Sequence, residues 1–310
     1  MEHTPVLFSE VIEGLNIQKN GIYVDCTLGR GGHSKGILSH LEGGKLIAFD
    51  QDQTAINESH KVLDPLNKDV TYVHSNFAAI KTELDTLGIH SVDGILMDLG
   101  VSSPQFDDGE RGFSYRYNAK LDMRMNQEQS FSAYDIVNEY DVKELTRVFR
   151  EYGEEPFAYE IAKMIVKERE KKPITTTFEL VEVIKKALPQ KILRKKGHPA
   201  KQVFQALRIE VNDELGVLKL ALRDALSLLN VGGRLAVITF HSLEDRMVKK
   251  MMKEVSSLPS IPRGMPTPLH QEEPSYQLIN RHAIEASEEE QERNPRSKSA
   301  KLRIIERTKI

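Results

Sequence analysis

A glycine-rich segment that begins with an acid stands out in the first third of the chain. It runs from Asp25 to Ser34 with the sequence DCTLGRGGHS. Glycines there permit positive φ angles and let a ligand approach the backbone. The start of a following helix would offer its amides to an anionic group. Asp50 lies 25 residues beyond Asp25, about where an acid that holds ribose hydroxyls is expected. The pattern predicts a site for a nucleoside cofactor.

Two features favour S-adenosylmethionine over a dinucleotide. The segment does not contain GxGxxG, and it follows a carboxylate, Asp25. That carboxylate would repel a pyrophosphate but attract an ammonium or sulfonium group. A second interpretation of Asp25, as a cap of the loop amides, stays open at this point.

Two later positions point to the same crevice. Phe77 follows the third candidate strand, and Asp98 follows the fourth. Ligands of open parallel sheets bind beyond the carboxyl ends of the strands. Phe77 could pack against adenine or belong to an ordinary core. Asp98 comes directly after an apolar run, so we expect it to cap a loop or contact the ligand rather than be buried unpaired.

The elements that position these residues alternate between strands and helices. Short apolar runs predict four strands, followed in two cases by helices over Ser34–Leu41 and Thr54–Leu63; the strands are Ile22–Cys26, Lys45–Phe49, Val70–His74 and Val92–Met97. Strands that alternate with helices indicate βαβ units and a parallel sheet. The expected fold class is therefore α/β.

The pattern then changes to helices alone from about Ser130 to Leu229. A tight turn precedes a buried strand over Arg234–Phe240, a helix follows over Ser242–Val255, and a last strand covers Lys301–Glu306. The stretches Leu258–Pro274 and Glu285–Glu292 are predicted surface loops. The sequence thus predicts one sheet domain that is interrupted by an all-helical insertion.

Composition excludes several classes of protein. The 310 residues carry 43 Lys and Arg against 46 Asp and Glu, a formal net charge of −3, so a histone-like coat of positive charge is excluded. The single cysteine, Cys26, cannot form an internal disulfide. The first residues do not form a secretory signal, and we predict a cytoplasmic protein. No metal is expected because the histidines lack a ligand spacing, and Ser242 beside His241 lacks the elbow of a hydrolase.

One segment of the helical part is strongly basic. Residues 185–201, here called the basic segment, contain seven Lys or Arg and no acid. Such a run can neutralise RNA phosphates, although a solvated helix end is an equally good interpretation. The candidates for RNA binding are Arg194, Lys195, Lys196 and Lys201.

Longer tracts carry a resemblance to a known family. They are His3–Leu7, Asp25–Ser34, Asp93–Gln105, Glu110–Ser114, Leu121–Met125, Phe204–Arg208, Phe240–Arg246 and Asn294–Arg296. Together they are similar to the RsmH (MraW) family, bacterial methyltransferases of cytosine N4 in 16S ribosomal RNA. The tracts span nearly the whole chain.

The resemblance implies a class I (Rossmann-like) methyltransferase fold with a mainly parallel twisted sheet over 1–110 and 215–310. A helical insertion over 111–214 would recognise RNA. S-adenosylmethionine would be the donor, and a cytidine in the decoding region of the small subunit the acceptor. By this likeness the cofactor contacts are Gly31, Gly32, His33, Asp50, Phe77, Asp98 and Gln105.

Other functions compete with this one. A nicotinamide-dependent oxidoreductase would need the dinucleotide fingerprint, and a non-catalytic ribosome-assembly factor could keep the fold as a scaffold. Asp98 is the candidate for cofactor placement and amine orientation, without a claim that it is a general base. Partners are expected to be 16S ribosomal RNA within the small subunit and no membrane, and whether the chain forms a homodimer is open.

Overall fold

The computed structural model describes residues 5–100, 108–258 and 273–309. Its contacts divide the chain into two compact units. The sheet unit comprises Met1–Gly100 and Val217–Ile310, and the helical unit comprises Val101–Gly216. The sequence placed the ends of the insertion at 111 and 214.

The sheet unit contains an eight-stranded sheet. Its strands are β1 (Ile22–Asp25), β2 (Lys45–Asp50), β3 (Asp69–His74), β4 (Val92–Asp98), β5 (Leu229–Thr239), β6 (Tyr276–Leu278), β7 (Ile284–Glu285) and β8 (Lys301–Arg307). The spatial order is β3, β2, β1, β4, β5, β8, β6, and β7 pairs with β8. Strands β1 to β5 are parallel, whereas β8 is antiparallel to its neighbours. The predicted α/β class with a mainly parallel sheet is confirmed.

Thirteen α-helices are described. They are α1 (Phe8–Leu15), α2 (Gly32–His40), α3 (Gln53–Leu63), α4 (Ile80–Thr86), α5 (Ala133–Glu139), α6 (Val142–Glu151), α7 (Ala158–Arg169), α8 (Thr177–Ala187), α9 (Gln190–Leu193), α10 (Lys201–Asn212), α11 (Glu214–Leu228), α12 (Ser242–Val255) and α13 (Glu288–Arg293). Helices α5 to α10 belong to the helical unit. The part of the chain that the structure describes has no helix long and apolar enough to cross a membrane.

The central strands are apolar throughout because both faces of the sheet are covered. In β2, Ile47 and Phe49 face one core while Leu46 and Ala48 face the other, and all four are fully buried. Alternate residues thus feed two cores, as the period of a strand requires. This double burial explains why the strands read as continuous apolar runs.

Two predictions of secondary structure were wrong, the start of one strand and the assignment of one loop. Strand β5 begins at Leu229 rather than Arg234, since residues 230–233 form an irregularity where the register with β4 shifts between Val92 and Gly94. The acidic stretch 285–292, predicted as a loop, contains part of β7 and most of α13. Ser287 caps α13 by accepting from Glu290 N. Acidic side chains in the first turn stabilise a helix by interacting with the positive end of its dipole.

The helical unit is stabilised by its own core and by capped helix starts. Leu145, Val148 and Phe149 of α6 are fully buried within a single apolar cluster. Capping boxes begin α5, α6 and α8, whose N-caps are Ser132, Asp141 and Thr176. Helix after helix was predicted here, and the described residues confirm it.

Candidate active site at the carboxyl edge of the sheet

The strand order reverses between β1 and β4, and two acids mark that point. Asp25 is the last residue of β1, and Asp98 is the last residue of β4. The Asp98 amide donates to Thr27 Oγ1 over 2.7 Å, which ties the two strand ends together. A reversal of this kind opens a crevice at the carboxyl edge of a parallel sheet. Asp25 and Asp98, two residues of the predicted ligand site, both lie at this edge.

The glycine-rich segment makes a tight loop at which two glycines have left-handed backbone angles. Gly29 and Gly31 have φ angles of 51° and 74°, in the left-handed region that glycine favours. A Cβ on Gly31 would approach the Leu63 side chain at 3.2 Å, and one on Gly32 would lie 2.5 Å from Pro5 Cγ. Helix α2 follows with Gly31 as its N-cap and no capping side chain. Its first amides thus remain available to an anionic group.

Asp25 lies beneath this loop with 1% of its surface exposed. Its Oδ2 accepts from Ser34 Oγ over 2.7 Å, and its Oδ1 accepts from Thr27 N over 3.0 Å. Burial raises the pKa of this carboxyl, and the hydrogen bonds oppose the rise. These contacts match the second interpretation of Asp25, as a cap of the loop.

Asp50 ties the end of β2 to the same loop. Its Oδ2 accepts from Gly29 N and its Oδ1 from Asp52 N, each over 2.9 Å. Burial raises its pKa to about 6, with further contributions from the charges of Asp52 and Asp25. A carboxylate offers about four lone pairs, so Asp50 keeps acceptor capacity for ribose hydroxyls.

Asp98 is the most strongly perturbed acid of the site. Burial raises its pKa to about 8, and the charges of Asp25 and Glu244 add to the effect. About a quarter of the side chain is exposed (27%), yet Oδ1 is buried and has no hydrogen-bond partner among the described residues. A buried oxygen without a partner costs about 1 to 3 kcal/mol. Such an atom marks a position that a ligand completes.

His33 faces inward rather than toward the crevice. The side chain is 6% exposed, and its Nε2 lies 3.0 Å from Val6 O. A carbonyl only accepts, so Nε2 carries the hydrogen. Burial lowers the pKa of His33 to about 4, so the ring is neutral and presents an unprotonated Nδ1, 3.5 Å from Asp98 Oδ2. The backbone amide of His33 lies in the first turn of α2.

The two other predicted contacts differ in what can be said of them. Phe77 is partly exposed at the start of a 3₁₀ turn that Asn76 caps by accepting from Ala78 N. Its half-buried ring packs against one core of the sheet unit, which leaves one side for a stacked base. Gln105 lies outside the described residues.

Sequence reasoning missed the acid after β5. Glu244 is 2% exposed, and its Oε2 accepts from Phe240 N over 2.8 Å and from His241 N over 3.2 Å. His241 is the N-cap of α12 and completes a capping box with Glu244. The His-x-x-Glu spacing before an apolar helix is the signal that could have revealed this acid.

Asp25, Asp50, Asp98 and Glu244 together form what we call the acidic edge. The pKa values of Asp25, Asp50 and Asp98 are all raised because burial disfavours their charged forms. A positively charged ligand would relieve both the burial and the mutual repulsion. S-adenosylmethionine carries a sulfonium and an ammonium for these acids, and a carboxylate for the amides of α2. The residues present fit this cofactor.

A parallel sheet with this reversal, this loop and this acidic edge defines the class of Rossmann-like methyltransferases. The chain belongs to the MraW methylase family, whose model matches residues 1–308. It is accordingly a methyltransferase that uses S-adenosylmethionine.

Relatives and solved structures are similar over nearly the whole length. A protein of Lactiplantibacillus plantarum named ribosomal RNA small subunit methyltransferase H is 53% identical, over 100% of this chain and 98% of that protein. A protein of the same name from Exiguobacterium sibiricum is 54% identical, over 99% of each. The crystal structure of an rRNA methylase from Streptococcus thermophilus has a TM-score of 0.41 at 11% identity, over 99% of this chain and 98% of that one.

The basic segment of the helical unit was the other predicted site. Lys185 and Lys186 are neutralised, since they pair with Glu182 and Glu168 at 2.8 Å each. The remaining cations are exposed and have no ion-pair partner among the residues described; they are Lys191, Arg194, Lys195, Lys196 and Lys201.

Aromatic rings lie within and beside the basic segment. His198 stacks on Tyr115 with ring centroids 4.1 Å apart and an interplanar angle of 8°. Phe204 meets Tyr115 edge-on at 5.7 Å. Exposed cations beside stacked rings are a common composition of RNA-binding surfaces.

Proposed function

We propose that the protein transfers a methyl group from S-adenosylmethionine to N4 of a cytidine in the decoding region of 16S ribosomal RNA in the small ribosomal subunit. The relatives' name supports a ribosomal RNA substrate, and the resemblance of the sequence supports the position of the methyl group. The observation that carries the proposal is the acidic edge, which suits a cationic methyl donor beside the strand reversal.

The cofactor would be held by the loop and by the ends of β2 and β3. The amides of Gly32 and His33 would bind its carboxylate at the start of α2. The Gly31 amide donates to Leu28 O, so Gly31 would contribute by letting the cofactor approach the backbone. Asp50 would accept from the ribose hydroxyls. Phe77 would stack against the adenine. The family resemblance adds Gln105 to these contacts.

Asp98 would act at the reacting end of the cofactor. When bound, S-adenosylmethionine supplies an electrophilic methyl group, so the protein mainly has to align the acceptor and exclude water. The exocyclic amine of cytosine is a weak nucleophile because its lone pair is shared with the ring. An acceptor such as Asp98 Oδ1 would draw an amine hydrogen and orient that lone pair.

The RNA would be held by the basic segment. A target base has to leave its stack to reach a crevice, which is easiest in a single-stranded or strained RNA segment. The five cations of the basic segment that have no ion-pair partner among the described residues would contact phosphates, and Tyr115 and His198 would offer a stacking surface.

Transfer of labelled methyl groups to small subunits that lack this modification tests the proposal. We expect one labelled cytidine, located by mass spectrometry of RNA digests. Cofactor binding without any transfer would point instead to the assembly-factor alternative, and a label on another base would refute the N4-cytidine assignment. An Asp98→Ala variant with full rate and full cofactor affinity would contradict both roles given to Asp98.

A further inference from the structure

Two buried side-chain atoms have no hydrogen-bond partner in the described parts of the chain. They are Asp98 Oδ1 and His241 Nε2. The His241 side chain is only 9% exposed, so water does not readily satisfy it. Unpaired buried polar atoms are rare in folded proteins and often mark the place of a ligand.

Both atoms belong to adjacent strand ends. Asp98 pairs in register with Ile238 of β5, and Leu99 N donates to Ile238 O over 3.0 Å. A Cβ on Gly100 would lie 3.5 Å from the Phe240 ring. The segments that follow β4 and β5 therefore stay side by side up to the residue before His241.

Glu244 connects the two positions further. Its Oε1 lies 3.1 Å from His241 Nε2, and its charge is one of those that raise the pKa of Asp98. Glu244 is therefore close to both Asp98 and His241.

The hydrogen bonds of His241 fix which nitrogen carries the proton. Its Nδ1 lies 3.4 Å from Glu244 N, and an amide can only donate, so Nδ1 is the acceptor. The hydrogen of the neutral ring is consequently on Nε2. Although Glu244 Oε1 is near, the arrangement does not have hydrogen-bond geometry. Among the described residues, His241 Nε2 is thus a donor without an acceptor, and Asp98 Oδ1 is an acceptor without a donor.

We propose that Asp98 Oδ1 and His241 Nε2 bind the Watson–Crick edge of the target cytosine, with Oδ1 accepting from the exocyclic amine and Nε2 donating to ring N3. The inference rests on the proposed function and assigns the residues that hold the base. Uracil has the inverted pattern, with a carbonyl at position 4 and a hydrogen on N3. It would place an acceptor against Asp98 Oδ1 and a donor against His241 Nε2. His241 is a binding residue that touches the acceptor base and not the methyl donor.

Two substitutions of His241 separate this role from helix capping. Asparagine is a good N-cap but too short to replace Nε2, whereas the side-chain amide of glutamine reaches as far as Nε2 but caps poorly. We expect His241→Asn to lower the rate of methyl transfer to small subunits by about 10-fold to 100-fold. His241→Gln should retain most of the rate. The affinity for S-adenosylmethionine, measured by calorimetry, should be unchanged in both.

The opposite order would overturn the inference. If His241→Asn transfers methyl groups like the wild type and His241→Gln is impaired, His241 serves only as a cap. If the wild-type protein leaves the small subunits unmethylated, the proposed function is refuted instead, because that result does not depend on His241. A further readout compares the binding of small subunits that carry cytidine or uridine at the target position. The wild type should prefer cytidine, and this preference should be weaker in His241→Asn.

Discussion

The acidic edge of the sheet unit and the basic segment of the helical unit differ in both burial and charge. Asp25 and Glu244 are almost fully buried and tied into backbone hydrogen bonds. Arg194, Lys195 and Lys196 are exposed and unpaired among the described residues. Buried charge is costly unless a partner neutralises it, whereas exposed charge costs little and acts over a distance that salt controls.

This difference explains how one nearly neutral chain suits two ligands of opposite sign. The net charge of −3 conceals a concentration of acids at strand ends and of bases on a helical surface. The buried acids suit a small cation that is enclosed, and the exposed bases suit a polyanion that is bound along its surface. Changes on one side should therefore leave binding on the other side intact.

The largest effect is expected for Gly31→Ala, which attacks the cofactor side alone. A side chain at φ 74° is strained, and its Cβ would press on Leu63 at 3.2 Å. We expect the affinity for S-adenosylmethionine to fall by about 10-fold or more, as measured by calorimetry. Gly88→Ala is the matched control because Gly88 has φ 71° with nothing within 4 Å. Equal losses of cofactor affinity in both variants would contradict the loop assignment.

The next effect concerns the RNA side. Lys195→Gln combined with Lys196→Gln removes two unpaired charges, so the salt dependence of RNA binding should flatten by about 1.5 in its logarithmic slope. The control is Lys171→Gln with Lys172→Gln, since these lysines of the same unit already pair with Glu168 and Glu179. Filter binding at several salt concentrations measures both slopes. An unchanged slope in the first variant would remove the basic segment from the account.

A smaller effect is the response of stability to pH without cofactor. The pKa of Asp98 is raised to about 8 and that of Asp50 to about 6. The folded protein therefore keeps protons that the unfolded chain has released above about pH 4. The free energy of unfolding should fall as the pH rises from about 4 to about 8, and less so in Asp98→Asn. Urea unfolding at several pH values checks this; a stability that rises across the window would contradict it.

The smallest effect is expected for Thr176→Ala, which weakens the helical unit only. Thr176 accepts from Glu179 N in the capping box of α8. Its loss should destabilise that unit by about 1 kcal/mol, seen as a lower urea midpoint. Cofactor affinity should not change, and a change would show that the two sides are not independent.

Much of the sheet unit could be predicted from the sequence because its signals are local. Apolar runs bounded by polar residues gave β1 to β4 within a residue or two, and α12 matches its predicted range. The helix starts at Asp141 and Thr176 follow from capping boxes, which are patterns of four neighbouring residues. The Leu229 start of β5 could not be found, since a register shift depends on the neighbouring strand.

The candidate site was predictable in position but not in detail. The Asp25 and Asp98 positions follow from the strand ends, but the inward direction of His33 depends on Val6, 27 residues earlier. The burial of Glu244 likewise arises from folding rather than from its immediate sequence. From the sequence, Lys185 and Lys186 count as members of the basic segment without an ion-pair partner. Glu168 belongs to another helix and pairs with Lys186, a contact that only the fold shows.

Comparison of S-adenosylmethionine with S-adenosylhomocysteine by calorimetry tests the central claim most directly. The two ligands share every charged group except the sulfonium. The difference between their affinities therefore reports the electrostatic field of the acidic edge. We expect the preference for the sulfonium ligand to increase between about pH 6 and about pH 8.5, as Asp50 and Asp98 ionise, and to increase less in Asp98→Asn, where only Asp50 still ionises. A preference that is independent of pH in the wild type, or that decreases as the pH rises, would contradict the account.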